Sequence, residues 1–171
     1  MISVPPFFNF DIIGGKVGGT DDASRRVHMA YLSEDRLTPG VLDGAAEHAF
    51  SHGACAALAY AIHEATGWPI VGITDSHNVH DRKLGGGSSL HWGVKHPSGQ
   101  FLDVDGLHDF DDVIERYNSY ADDEEAAWGI GTKADVEEWY VESQGAPISF
   151  EMAATFVDPV LEKILESTPK P

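Results

Sequence analysis

The chain is short of cysteine, of positive charge and of long apolar runs, and each shortage excludes something. Cys55 is the only cysteine among 171 residues, so neither an intramolecular disulfide nor a multi-cysteine zinc or iron–sulfur site can form. A lone thiol suits a reducing compartment, which gives a cytoplasmic expectation. Eleven Lys and Arg stand against 28 Asp and Glu, a formal charge of −17. Affinity for nucleic acid rests on neutralising phosphates, so this balance argues against a nucleic-acid ligand. It is compatible with plain solubility, with a basic partner protein or with a DNA-mimicking surface. No stretch approaches the roughly 18 apolar residues of a membrane span, and no membrane partner is expected. The first residues, MISVPPFFNFDIIGGKVGG, carry neither a basic n-region nor a long apolar h-region and do not read as a signal peptide.

What is present is ordinary globular material. With 42% hydrophobic and 23% charged residues, the chain can fill one core, and a single domain over 1–171 is expected. Residues 1–20, rich in Gly and Pro, read as an irregular segment. Residues 21–33 read as a helix with acidic residues in its first turn, and 38–50 as a second helix despite Gly40 and Gly44. A firmer helix follows Ser51, where Leu58, Ile62 and Ala65 recur at i, i+4 and i+7 until Gly67 ends it. The period then changes. WPIVGIT (68–74) reads as a buried strand, and the polar, glycine-rich 75–89 as a long loop able to act as a lid. LHWGVKH (90–96) and QFLDVD (100–105) flank PSG as a hairpin, and helices are expected at 108–120 and 132–143, the latter opening on a Thr132/Asp135 capping box. Residues 148–167 read as one or two helices broken near Pro159. DDEE at 122–125 reads as a solvated surface run. This order predicts an α+β fold: a small, mostly antiparallel sheet packed against a cysteine-bearing helix, with flanking N- and C-terminal helices.

One constellation in this layout carries chemistry. Cys55 falls in the first turn of its helix, where orphan N–H groups and the dipole favour an anion, and thiolate is the reactive form of cysteine. Its own N–H is positioned to donate to an oxyanion. His91 on the first hairpin strand and Asp103 on the second supply a base and an acid to orient it, with Asp105 the competing acid. Register decides between arrangements. A three-residue cap sets Gly93 opposite Asp103 and keeps both acids on the His91 side, whereas a two-residue turn sends them to the other face. HPSGQ, with Gly99 free to take a positive φ, permits the odd cap.

The order cysteine at a helix start, histidine on a strand, aspartate on the next strand resembles the transglutaminase-like and papain-like thiol enzymes. The residues that carry the resemblance are GACAALAYAIHEATGWP and HWGVKHPSGQFLDVDG, about 53–106, a third of the chain. It implies a helix-on-sheet core, Cys55 as nucleophile, His91 as general base and acid, and Asp103 (alternatively Asp105) as the orienting acid. Two features depart from the family pattern. Many transglutaminase-like sequences place an aromatic two residues after the histidine, where this chain has Gly93. Papain-like enzymes use a glutamine upstream of the cysteine, and no Gln precedes Cys55, which leaves backbone, Asn9 or a histidine such as His48 as second oxyanion donor.

The expected function is therefore a hydrolase or acyltransferase working through a Cys55 thioester on a peptide or protein amide, or an ester. The −17 charge favours a cationic substrate. No cofactor or metal is called for. Two other classes compete: a non-enzymatic acidic binding module or inhibitor of phage or plasmid type, and a metal hydrolase built on histidines such as His77 and His80 with Asp81. His48 and His52 are spaced like zincin ligands, but HAFSH lacks the Glu of that motif.

Overall fold

The computed structural model describes residues 32–85, 89–142 and 148–167. The irregular segment expected at 1–20 and nearly all of the helix expected at 21–33 lie outside these residues. Within them the fold is α+β, built on a five-stranded antiparallel sheet.

Helix α1 (Gly44–Ser51) starts later than its sequence pattern suggests, because Asp43 caps it: the carboxylate accepts from Ala45 and Ala46 N–H at 3.1 and 3.0 Å. Gly53 follows at φ 99°, a left-handed conformation that reverses the chain into α2 (Cys55–Thr66). Gly67 ends α2 at φ 74°, as its sequence position indicates, and donates to His63 O at 2.7 Å. Ala56, Ala57, Leu58, Ala59, Ala61 and Ile62 are all buried, since α2 is covered by the sheet on one side and by later helices on the other. That explains its alanines: small side chains let both layers approach.

Strand β1 (Ile70–Asp75) is buried throughout and pairs on both edges. Helix α3 (Ser76–His80) then occupies part of the expected loop and packs on the sheet beside β1 and the last strand of the chain. The long polar loop is thus corrected to a short helix followed by a turn. The hairpin forms as expected, from β2 (Ser89–Lys95) and β3 (Phe101–Asp103). β4 (Gly106–His108), absent from the sequence reading, extends it through a tight turn. Helix α4 (Phe110–Asn118) crosses the sheet, and β5 (Ala126–Ile130), also unexpected, pairs with the far edge of β1 to give the order β4-β3-β2-β1-β5. The acidic 122–125 run between them is exposed, as expected.

Helix α5 (Lys133–Glu142) opens on the expected box, with Thr132 N–H donating to Asp135 at 2.7 Å and Asp135 N–H to Thr132 Oγ1 at 3.2 Å. The C-terminal segment is two helices, α6 (Phe150–Ala154) and α7 (Val157–Ser167). The break lies at Thr155 and Phe156, close ahead of Pro159. Proline occupies the first turn of α7, where its missing N–H has no intrahelical acceptor to lose.

The sheet has two covered faces. Ile70, Trp92, Val94 and Leu102 join the α2 core, while Val71, Ile73 and Phe101 meet Val113 and Tyr117 of α4.

Candidate active site

Hairpin register decides what His91 can touch. Val94 opposes Leu102 and Lys95 opposes Phe101, and His96 N–H donates to Gln100 O at 2.9 Å, which leaves Pro97, Ser98 and Gly99 as a three-residue cap. Gly99 takes φ 91° to close it. This is the odd cap, and it brings His91 and Asp103 to the same face. Their side chains meet, with His91 Nε2 at 2.9 Å from Asp103 Oδ2.

Asp103 is fully occupied. Oδ1 accepts from His108 Nε2 at 3.2 Å and from the Asp105 backbone N–H at 2.9 Å. A carboxylate only accepts, so both imidazoles present Nε2–H to it. Burial alone would push the Asp103 carboxyl up, but the hydrogen bonds and charge from His108 and His91 hold it well below the usual carboxylate range. Asp105, the competing acid, is exposed, and its contribution is the backbone N–H to Asp103. Asp103 is the acid paired with His91.

With Nε2 engaged by Asp103, Nδ1 is the ring nitrogen left for the thiol. Cys55 acts on His91 electrostatically. Burial disfavours the imidazolium, yet the negative charge of Cys55 and the Asp103 carboxylate outweigh it and raise the His91 pKa to about 10. How a residue on α2 reaches a residue facing α4 follows from the strand lengths. Pairing between β2 and β3 is confined to two residue pairs, so the first half of β2 is unpaired on that flank. A cleft of about 470 Å³ lies there, lined by Cys55, Ser89, Leu90, Asp105 and Tyr117 among others. Cys55 is buried, 5% exposed, yet forms part of the cleft wall.

Several neighbours were not anticipated from sequence. Tyr117 stacks on His91, ring centroids 5.1 Å apart and planes 14° from parallel. Burial, then the charges of Cys55 and Asp103, keep it a neutral phenol. Tyr140 is held neutral by burial and by Cys55, and its hydroxyl donates to Ile148 O at 3.0 Å. Two signals for these neighbours were available. The Asp-Gly pair at 105–106 marks the turn that returns His108 to Asp103, and Val113, Ile114 and Tyr117 form an apolar stripe along α4.

The departures from the family pattern also have a place. A Cβ on Gly93 would lie 2.4 Å from the Phe101 ring and 2.5 Å from Leu102 O, so the space of an aromatic side chain on β2 is filled from β3 instead. Of the candidate second donors, Asn9 lies outside the described residues. His48 is exposed and stacks on His52 at 4.5 Å, and it is His52 that borders the cleft. The Cys55 N–H, first in its helix, has no intrahelical acceptor.

Among the described residues, no group of three or more His, Cys, Asp or Glu side chains is placed to hold a metal ion; His77 and His80 are exposed on α3. No described helix is long and apolar enough to cross a membrane. The chain matches no protein-family model, no curated protein and no solved structure.

Proposed function

We propose that the protein is a thiol-dependent hydrolase or acyltransferase of transglutaminase-like or papain-like type, acting on a peptide or protein amide, or an ester, through a Cys55 thioester. The observation that carries this reading is His91, held at 2.9 Å by Asp103 and raised in pKa by Cys55, which itself forms part of a cleft wall. In the first half-reaction the Cys55 sulfur attacks the carbonyl carbon, forming the S–C bond while the carbonyl electrons move to oxygen. The Cys55 N–H is placed to receive that oxyanion. Collapse breaks the C–N bond, and the amine leaves with the proton of the His91 imidazolium. Water or a second amine then gives a proton to His91 as it attacks the thioester, and the S–C bond breaks to return thiolate and imidazolium. Asp103 is a positioning residue that fixes the ring and its tautomer.

The electrostatics support both roles of one histidine. The first of the influences raising the His91 pKa is the charge on Cys55. Acylation removes that charge, leaving burial opposed by Asp103 alone, so His91 turns from acid to base when the second step needs a base. A free thiol implies a reducing, cytoplasmic setting. The −17 charge favours a substrate chain that is cationic beyond the cleft.

The test is the pH dependence of Cys55 alkylation by iodoacetamide in wild type and His91→Ala. The rate at about pH 6 is expected to approach that at pH 8 in wild type and to fall at least roughly tenfold at pH 6 in the variant. A steep ordinary rise with pH in both proteins would sink the reading and leave the acidic binding module in its place.

A further inference from the structure

The cleft walls say what should sit beside the reacting carbon. Tyr117 from α4 and Trp139 from α5 both border it, with Leu90 beneath and Tyr120 at the mouth. Trp139 is 7% exposed and Tyr120 is 69% exposed, so the aromatic lining runs from the core to the surface. Its charged members are Asp105 and Arg116, which are opposite in sign and both exposed. Neither forms an ion pair within 4.0 Å among the described residues. Two exposed charges of opposite sign give little net discrimination by charge, whereas apolar and aromatic walls discriminate by shape and burial. The volume of about 470 Å³ is in the range of small-ligand sites. Tyr117, stacked on the ring of His91, lines the same cleft as Cys55, so a flat group held among these aromatic walls shares that cleft with the sulfur.

We infer that the cleft takes an aromatic side group carried next to the carbon that Cys55 attacks, so that the substrates are amides or esters with an aromatic group adjoining the scissile bond. The inference rests on Cys55 being the attacking group. It adds to the cationic preference of the whole surface a different preference at the site itself.

Three chloroacetamides that differ only in the N-substituent test it: N-benzyl, N-methyl and N-(2-aminoethyl). Each alkylation rate of the full chain, read by intact mass, is divided by the same reagent's rate with glutathione. The benzyl reagent is expected to react at least about tenfold faster than the methyl one, with saturation, since a bound aromatic group gains from burial between aromatic walls. Tyr120→Ala, at an exposed position, should lower the benzyl-to-methyl ratio at least about threefold. Equal normalised rates for benzyl and methyl, or the aminoethyl reagent reacting fastest, would overturn the inference. Failure of the underlying reading looks different: the methyl reagent would then lose its dependence on His91, whatever the benzyl ratio.

Discussion

The proposed reaction asks His91 to give a proton in one half-reaction and take one in the next, and its surroundings offer a way to do both. While Cys55 is an anion, that charge and Asp103 raise the His91 pKa to about 10, so the ring is imidazolium through neutral pH. Once the sulfur is capped, the raising influence of Cys55 is gone and desolvation counts for more. Histidine NMR can read this directly. In the untreated protein His91 should stay protonated until about pH 10. After carbamidomethylation of Cys55, or in Cys55→Ala, it should titrate about one pH unit lower or more, each unit being about 1.4 kcal/mol. An unchanged titration would mean that Asp103 alone sets the proton and that the exchange of roles is not electrostatic. These three residues were legible in the sequence because each is odd in its setting. A thiol at a helix start, a histidine among strand apolars and a carboxylate inside FLDV all demand a reason. His108 and Tyr117 carried no such mark. They reach the site only through a chain reversal at Gly106 and a helix crossing the sheet.

At the scale of elements, the hairpin carries the site and its cap carries the hairpin. The odd cap was readable as a condition, since Gly99 could close it, but no local pattern demanded it. The same holds for Gly93, whose meaning appears only against β3. A methyl group there would meet the Phe101 ring at 2.4 Å and the Leu102 carbonyl oxygen at 2.5 Å, and the carbonyl is backbone that cannot swing aside. Gly93→Ala should therefore cost up to about 3 kcal/mol, the upper end of the usual range for overpacking a tight core. Gly99→Ala meets open space and suffers only its φ of 91°, so a loss nearer 1 kcal/mol is expected. Urea unfolding of both variants compares the two costs. Near-equal losses would show that β2 and β3 can spread without penalty, and the tight-contact account would fall. β4 and β5 escaped the sequence for a related reason. GLH is only three residues, and AAWGI is rich in Ala and Gly, so neither has the β-branched pattern of a strand. They are strands because β3 and β1 offer them an edge, which is tertiary information.

For the whole molecule the dominant fact is charge, and here two electrostatic effects oppose each other. Lys163 pairs with Glu47 at 2.9 Å, Lys133 pairs with Glu64, and Lys83 lies 3.9 Å from Asp81. All three pairs are at least partly exposed, so each contributes little, and salt would weaken them. Against them stands a net charge of −17 on 171 residues, whose mutual repulsion opposes the compact state. Such exposed pairs, the kind found among the described residues, are weak and local, whereas the repulsion is summed over many like charges, so screening should help folding more than it harms it. Raising sodium chloride from about 20 mM to 500 mM shortens the Debye length from roughly 20 Å to 4 Å, below most spacings between surface charges. The thermal midpoint is expected to rise by several degrees over that range, on the scale of about 1–2 kcal/mol for a chain of this size. Sodium chloride and potassium chloride should act alike, because the effect is screening and not occupation of a site. A midpoint that falls would place the stabilising electrostatics in the ion pairs. A rise found with only one of the two cations would point to specific binding at the acidic surface.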